Sequence, residues 1–187
     1  SSKYHLPNLY SGQTLDNLRE KLKKAFDLSA SSILVTGESG TGKELVAKIV
    51  ESYLSEKTPF VKINCATLND STAESELFGH EKGSFTGAWC KKEGLFKTAN
   101  KGWIFFDELA QLTPKIQATL LRVLECGEIR PIGSSSIQKV QVQIIAATNE
   151  PLEKLITTCK FRQDLLQRLQ IFEVHLPPLR LRNKQER

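Results

Sequence analysis

The chain has 187 residues, 40% of them hydrophobic and 25% charged, which fits one globular domain and excludes a low-complexity or largely disordered chain. No apolar stretch approaches the ~20 residues that span a bilayer, and the opening "SSKYHLPNLY" lacks the apolar run of a secretory signal, so the expected location is the cytoplasm. The net charge of +5 is mild and scattered, apart from "RLRNKQER" and "CKKEG", which argues against a basic nucleic-acid groove with interleaved aromatics.

In chain order, "TLDNLREKLKKAF" places Leu15, Leu18, Leu22, Ala25 and Phe26 on one helical stripe, and "SSILVTG" is a short β-branched run ending in glycine. "KELVAKIVESYL" returns to helical spacing at Leu45, Val46, Ile49, Val50 and Tyr53, and "PFVKIN" reads as a strand. The stretch "GHEKGSFTGAWCKKEG", residues 79–94, is too polar and glycine-rich for helix or strand and reads as a long, mobile loop. "GWIFFDE" is an apolar strand closing in two carboxylates; "PKIQATLLRVLECG" is a helix with Pro114 at its start and Gly127 past its end. "VQVQIIAATN" and "FEVHLPPL" supply two more strands, the last stopped by Pro177 and Pro178. Alternating strands and helices predict an α/β fold, a mostly parallel sheet covered on both faces, with ligands at the carboxyl ends of its strands.

"GESGTGKE", Gly37–Ser39–Gly40–Thr41–Gly42–Lys43 with Glu38 and Glu44, lies between the strand and the helix, matching both the G-x-x-x-x-G-K spacing and its context. Its glycines let backbone N–H groups curl around phosphates, the helix start adds its dipole, and Lys43 supplies a charge for the β and γ phosphates. A ligand-free glycine-rich turn is the weaker alternative. Glu44 stands where a P-loop ordinarily places a Ser or Thr for magnesium. Asp107 is suited to hold Mg²⁺ and Glu108 to polarise a water for attack on the γ-phosphate; alone, the pair reads equally as acids at a helix start. Asn149 could touch the γ-phosphate or its water and Asn64 could hydrogen-bond Glu108, although each could be a turn asparagine. The four cysteines, Cys65, Cys90, Cys126 and Cys159, are far apart and read as free thiols.

The ordered set "GESGTGKE", "NCA", "ELFGHEKGSFTGA", "FFDE", "LLRVLECGEIRPIG", "AATN", "FRQDLLQRL" and "LPPLR" resembles the central AAA+ ATPase domain of bacterial enhancer-binding proteins, which activate RNA polymerase containing sigma-54. The match runs from about Gly37 to Arg180, and its GAFTGA-type loop is highly specific. The resemblance implies a three-layer α/β/α P-loop NTPase over 1–180 with the loop inserted at 79–94. Gly37–Glu44 look like Walker A, Asp107 and Glu108 like Walker B, and Asn149 like sensor I. Asn64 resembles the residue that restrains the catalytic glutamate. Arg162 and Arg168 resemble arginine fingers that enter a neighbour's site; read without the family, they are solvated helix arginines. Gly83, Ser84, Phe85, Thr86, Gly87 and Ala88 resemble the loop that grips sigma-54, with Phe85 and Thr86 in contact. Phe85 folded back as local packing would fit a parked loop.

The resemblance also implies ATP with Mg²⁺, a hexamer or heptamer ring, and sigma-54 in its polymerase holoenzyme as partner; DNA would be met only through other domains, and no membrane is implied. Ser84 replaces the family's alanine, and Lys101 and Trp103 replace small residues before Walker B. Residues 181–187 read as the start of a lid or tail, so the expectation is a fragment lacking the family's C-terminal helical lid. Two other readings remain: another AAA+ remodelling machine, or a nucleotide-gated binding module that does not turn over.

Overall fold

A computed structural model describes residues 13–69 and 71–178; the expected boundary at 180 and the tail 181–187 lie outside them, as does the side chain of Leu15. The first half holds α1 (Gln13–Asp27), β1 (Ser32–Thr36), α2 (Lys43–Tyr53), β2 (Phe60–Asn64), α3 (Ala73–Phe78), β3 (Gly79–His80), β4 (Lys92–Glu93) and α4 (Leu95–Thr98). The second holds β5 (Gly102–Asp107), α5 (Pro114–Cys126), β6 (Glu128–Ile129), β7 (Gln138–Lys139), β8 (Val142–Thr148), α6 (Leu152–Thr157), α7 (Gln163–Leu169) and β9 (Phe172–His175).

Five strands form one sheet in the order β2-β5-β8-β1-β9, and every neighbouring pair is parallel. Alternation along each strand sends side chains to opposite faces. Leu34, Ile104, Phe106, Ile144 and Ala146 meet Leu77, Leu120, Leu152 and Leu165 from α3, α5, α6 and α7. On the other face Ile33, Val35, Phe105, Ile145 and Ala147 meet Leu18 and Leu22 of α1 and Val46 and Ile49 of α2. The result is the expected three-layer sandwich. Because both faces are covered, the strands read as nearly continuous apolar runs.

Trp103 belongs to the second face, where it is buried and stacks on Phe26 of α1 with ring centroids 6.3 Å apart. Its bulk therefore fills space beneath α1; an indole of ~150–250 Å² at ~25 cal/mol/Å² contributes at most roughly 4–6 kcal/mol. Lys101 takes a positive φ of 64° in the turn just before, its N–H donating to Gln141 O at 2.7 Å.

α5 begins and ends as its punctuation predicts: Thr113 is the N-cap, Pro114 follows it, and Gly127 closes the helix at φ 62° with its N–H on Val123 O. Three boundaries differ. β8 stops at Thr148, one residue before Asn149, and β9 stops at His175, before the prolines. Residues 79–94 are not wholly loop: β3 and β4 pair antiparallel at the base, Gly79 opposite Glu93 and His80 opposite Lys92. Two-residue strands carry too little alternation to show in a sequence.

Candidate functional site

β1, β8 and β5 all point their carboxyl ends the same way, and register brings those ends level. Thr36 lies opposite Thr148, and Asn64 at the end of β2 lies opposite Asp107 at the end of β5. The phosphate-loop strand β1 and the carboxylate strand β5 are not neighbours; β8 lies between them. This is the topology in which ligands sit at strand carboxyl ends.

The loop after β1 is tied to both flanking strands. Gly37 N–H donates to Thr148 O at 3.3 Å and Leu176 N–H, just past β9, donates to Thr36 O at 2.8 Å. A Cβ on Gly37 would lie 2.9 Å from Leu176 O and 2.9 Å from Thr41 Oγ1, so only glycine fits there without a shift. Gly40 and Gly42 hold φ of 77° and 87°, conformations costly for residues with a Cβ. Lys43 curls its ammonium over the loop, donating to Gly37 O at 3.0 Å and Glu38 O at 2.9 Å, and Thr41 Oγ1 donates to Glu38 O at 2.8 Å. Glu38 and Ser39 are exposed on the turn. These features make a cradle of backbone N–H groups opening on the start of α2, with the lysine charge already over it.

Two clefts flank the cradle. One, of about 300 Å³, is lined by Glu44, Lys48, Asn64 and Asp107 among others; the second, of about 310 Å³, runs past Thr36, Gly37, Glu38, Asn149 and His175. Asp107 Oδ1 accepts from Glu108 N–H at 2.9 Å, and the residue lines the first of these clefts. Glu108 stands in the left-handed region, φ 52° and ψ 45°, which carries strain for a non-glycine residue. Among the described residues no cluster of three or more His, Cys, Asp or Glu could cage a metal. A Mg²⁺ fits here only as that ion is ordinarily held, by one carboxylate, with water and phosphate oxygens completing its shell. Cys65 is buried beside both carboxylates, and burial first, then the charges of Asp107 and Glu108, push its thiol up to about 12. It is a neutral neighbour of the pair.

Asn64 uses its Oδ1 as a cap, accepting from Ala66 N–H at 2.9 Å, the turn-asparagine alternative; no hydrogen bond joins it to Glu108 among the described residues. Asn149 is exposed, one residue beyond β8. Both arginines belong to α7, Arg162 as its N-cap and Arg168 in its last turn. Arg162 pairs with Asp164 through two bonds of 3.0 and 2.7 Å. That pairing raises the guanidinium and holds the Asp164 carboxyl below its usual range. Arg168 pairs with Glu125 at 3.3 Å, while its backbone O accepts from Ser32 Oγ at 2.7 Å. Ser32 starts β1 and Gly37 follows its end, so Arg168 lies about 16 Å away along the strand at 3.2–3.4 Å per residue.

The loop of 81–91 rises from the β3–β4 ladder. Gly83 N–H donates to Ala88 O at 2.8 Å, and Glu81 pairs with Lys91 at 2.8 Å. Beneath it lies His80, which falls inside the quoted stretch "ELFGHEKGSFTGA" but to which the sequence assigns no role. Its Nε2 is 3.0 Å from Cys90 O and its Nδ1 2.6 Å from Ser75 Oγ. A carbonyl only accepts, so Nε2 carries a proton and donates to Cys90 O, while Nδ1 shares a hydrogen bond with the serine hydroxyl. Phe85 is both folded back and partly free: its ring meets His80 edge-on at 5.0 Å, yet 43% of the residue remains exposed. Thr86 and Gly87 are exposed, Ala88 is buried, and Trp89 is 85% exposed. Ser84 Oγ is buried with no hydrogen-bond partner, and its Cβ packs against Gly133 in the β6–β7 turn.

The family described as Sigma-54 interaction domain matches residues 9–175. The chain belongs to it. Among curated relatives, the Nif-specific regulatory protein of Bradyrhizobium diazoefficiens is 52% identical over 155 residues, which is 82% of this chain and 27% of the relative. Regulatory protein AtoC of Escherichia coli is 48% identical over 159 residues, 84% of this chain and 34% of the relative. The chain thus spans between about a quarter and a third of those two proteins. Among solved structures, NtrX from Brucella abortus in complex with ATP superposes with a TM-score of 0.80 at 33% identity, over 95% of this chain and 40% of that one. Hsp104 with ATPγS and casein, at 23% identity and TM-score 0.67 over 90% of this chain and 34% of that one, shares the fold. No helix among the described residues is long and apolar enough to cross a membrane.

Proposed function

We propose that this sigma-54 interaction domain binds ATP with Mg²⁺ and hydrolyses it at the interface between subunits of a hexamer or heptamer ring. The energy would serve to remodel the closed complex of sigma-54 RNA polymerase through the loop 83–88. The observation that carries the reading is the cradle of Gly37–Glu44 at one strand end with Asp107 and Asn149 beside it on the next two. The NtrX structure with ATP supports a nucleotide in this fold.

In this reading Gly37–Gly42 surround the phosphates, Lys43 leaves its own loop's carbonyls for the β and γ oxygens, and Asp107 holds the cation. Bound Mg²⁺ would neutralise charge developing on the phosphates. Glu108 takes a proton from the attacking water, Asn149 steadies that water or the γ-phosphate, and the Asn64 amide nitrogen restrains Glu108 until a partner engages. Arg162 and Arg168 serve the neighbour's site; the distance of Arg168 from its own cradle supports action across the interface. Each must leave a carboxylate of its own chain, and exposed pairs of that kind open readily. A finger contributes ~10³–10⁵ in rate.

The test is co-migration of the protein with sigma-54 in ADP and aluminium fluoride. A complex should form only with that mixture and be lost on Phe85→Ala, while Thr86→Ala should hydrolyse ATP without activating transcription. Normal activation by Thr86→Ala would remove the loop from the mechanism.

A further inference from the structure

Gln117 on α5 is fully buried, yet its amide serves the backbone of separate segments. Nε2 donates to Leu112 O at 2.7 Å and to Lys160 O at 3.0 Å, and Oε1 accepts from Arg162 N–H at 3.0 Å. Both amide hydrogens are therefore committed. Leu112 is the C-cap of the 3-10 turn Leu109–Gln111, whose N-cap is Glu108. Lys160 and Arg162 flank Phe161, whose side chain is buried in the core. One side chain thus clamps the turn that follows the Asp107–Glu108 pair to the backbone from which the Arg162 side chain departs.

We propose that Gln117 is a positioning residue for Arg162, acting on hydrolysis in the neighbouring subunit. An apolar group in its place would take a partner from the Leu112 and Lys160 carbonyls and the Arg162 N–H, at a desolvation cost for each one left buried and unpaired. The role of Gln117 in stability is therefore separated from positioning by asking in which subunit the loss of rate appears. What it also supplies is direction: two bonds, to Lys160 O and from Arg162 N–H, set where the segment 160–162 lies against α5, and the third ties in Leu112 O. The Arg162 guanidinium is exposed and rests on Asp164, so nothing else in its own side chain fixes the backbone beneath it. Displacing such a group by about 1 Å costs about 10²-fold in rate.

The inference rests on the reading of Arg162 as a finger across the interface, and a mixing experiment separates the two. A donor chain carrying Lys43→Ala keeps its fingers without a working cradle; an acceptor carrying Arg162→Ala keeps its cradle without that finger. Mixed full chains should hydrolyse ATP, followed by phosphate release. Adding Gln117→Leu to the donor should lower kcat of the mixture about 10²-fold with KM for ATP unchanged. Adding it to the acceptor should leave the mixture's rate within about twofold. Should the leucine variant not fold, seen by thermal unfolding of the donor alone, Gln117→Met supplies an unbranched chain of similar length. No loss in the donor, or an equal loss in the acceptor, overturns the proposal alone. Failure of the unmodified pair to hydrolyse overturns the finger reading and this proposal with it.

Discussion

The phosphate cradle and the loop at 81–91 are both glycine-rich turns, but they are held in opposite ways. The cradle hangs from strands inside a five-stranded sheet, its first glycine bonded to β8 and enclosed by the chain after β9. The loop hangs from a ladder of two residue pairs; Glu81 N–H donates across to Ile132 O at 2.9 Å, and the rest of its support is short-range turn bonds within 81–89, the exposed Glu81–Lys91 pair and His80, which meets Cys90 O and the Phe85 ring. The first arrangement fixes groups to the tolerance that phosphate chemistry needs. The second is bonded mostly to itself, with Glu81 N–H on Ile132 O as its backbone bond to another segment, so it can part from the body of the molecule without breaking the sheet, as segments that move must.

The largest effects should come from breaking the cradle. Lys43→Ala removes a charge-assisted contact to phosphate, worth ~2–3 kcal/mol or about 10²-fold in affinity, measurable by titration with ATP. Glu108→Gln should retain that affinity and lose about 10²–10⁴ in hydrolysis, the range of a positioned base. Equal loss of binding in both variants would deny the division of labour.

Glycine replacement sharpens the contrast. Gly37→Ala puts a methyl 2.9 Å from Leu176 O and Thr41 Oγ1, so overpacking of about 1–3 kcal/mol falls on the cradle itself and nucleotide affinity should drop. Gly87→Ala has φ of 100° and nothing within 4 Å; about 1–2 kcal/mol of backbone strain stays local, and nucleotide affinity should not change. Titration of both variants with the same nucleotide decides it.

His80→Ala comes next. It strands the buried Ser75 hydroxyl and the Cys90 carbonyl and removes the surface on which Phe85 rests, a cost of about 2–3 kcal/mol. Denaturant midpoints should fall with nucleotide binding intact, and hydrogen exchange should rise over 81–91. Unchanged exchange there would mean that the histidine does not hold the loop.

The same contrast explains which features are legible in the sequence. The cradle, the carboxylate strand and the long helices announce themselves through spacing, caps and runs of apolar residues, because each signal lies within one short stretch. Trp103 looks out of place in the sequence, since its explanation, Phe26, lies on a helix 77 positions earlier, from 103 to 26. His80 and Gln117 pass unnoticed there for the same reason: a lone histidine or glutamine acquires meaning only from the carbonyls that folding brings to it. Asn64 shows the converse, since its place at the strand end is legible while its bond to Ala66 is not.

The smallest effect has the most specific sign. Ser84 replaces the loop's expected alanine, and its hydroxyl is buried without a partner against Gly133. An unpaired buried hydroxyl costs about 1–3 kcal/mol, so Ser84→Ala should stabilise the folded-back loop by roughly 1 kcal/mol, raising Tm by about 2–4 °C for a domain of this size. Hydrogen exchange over 81–91 should slow at the same time, because the gain belongs to the packed position of the loop alone. A Tm that falls would show that the hydroxyl is satisfied there, and a Tm that rises with unchanged exchange would move the strain from the loop into the β6–β7 turn.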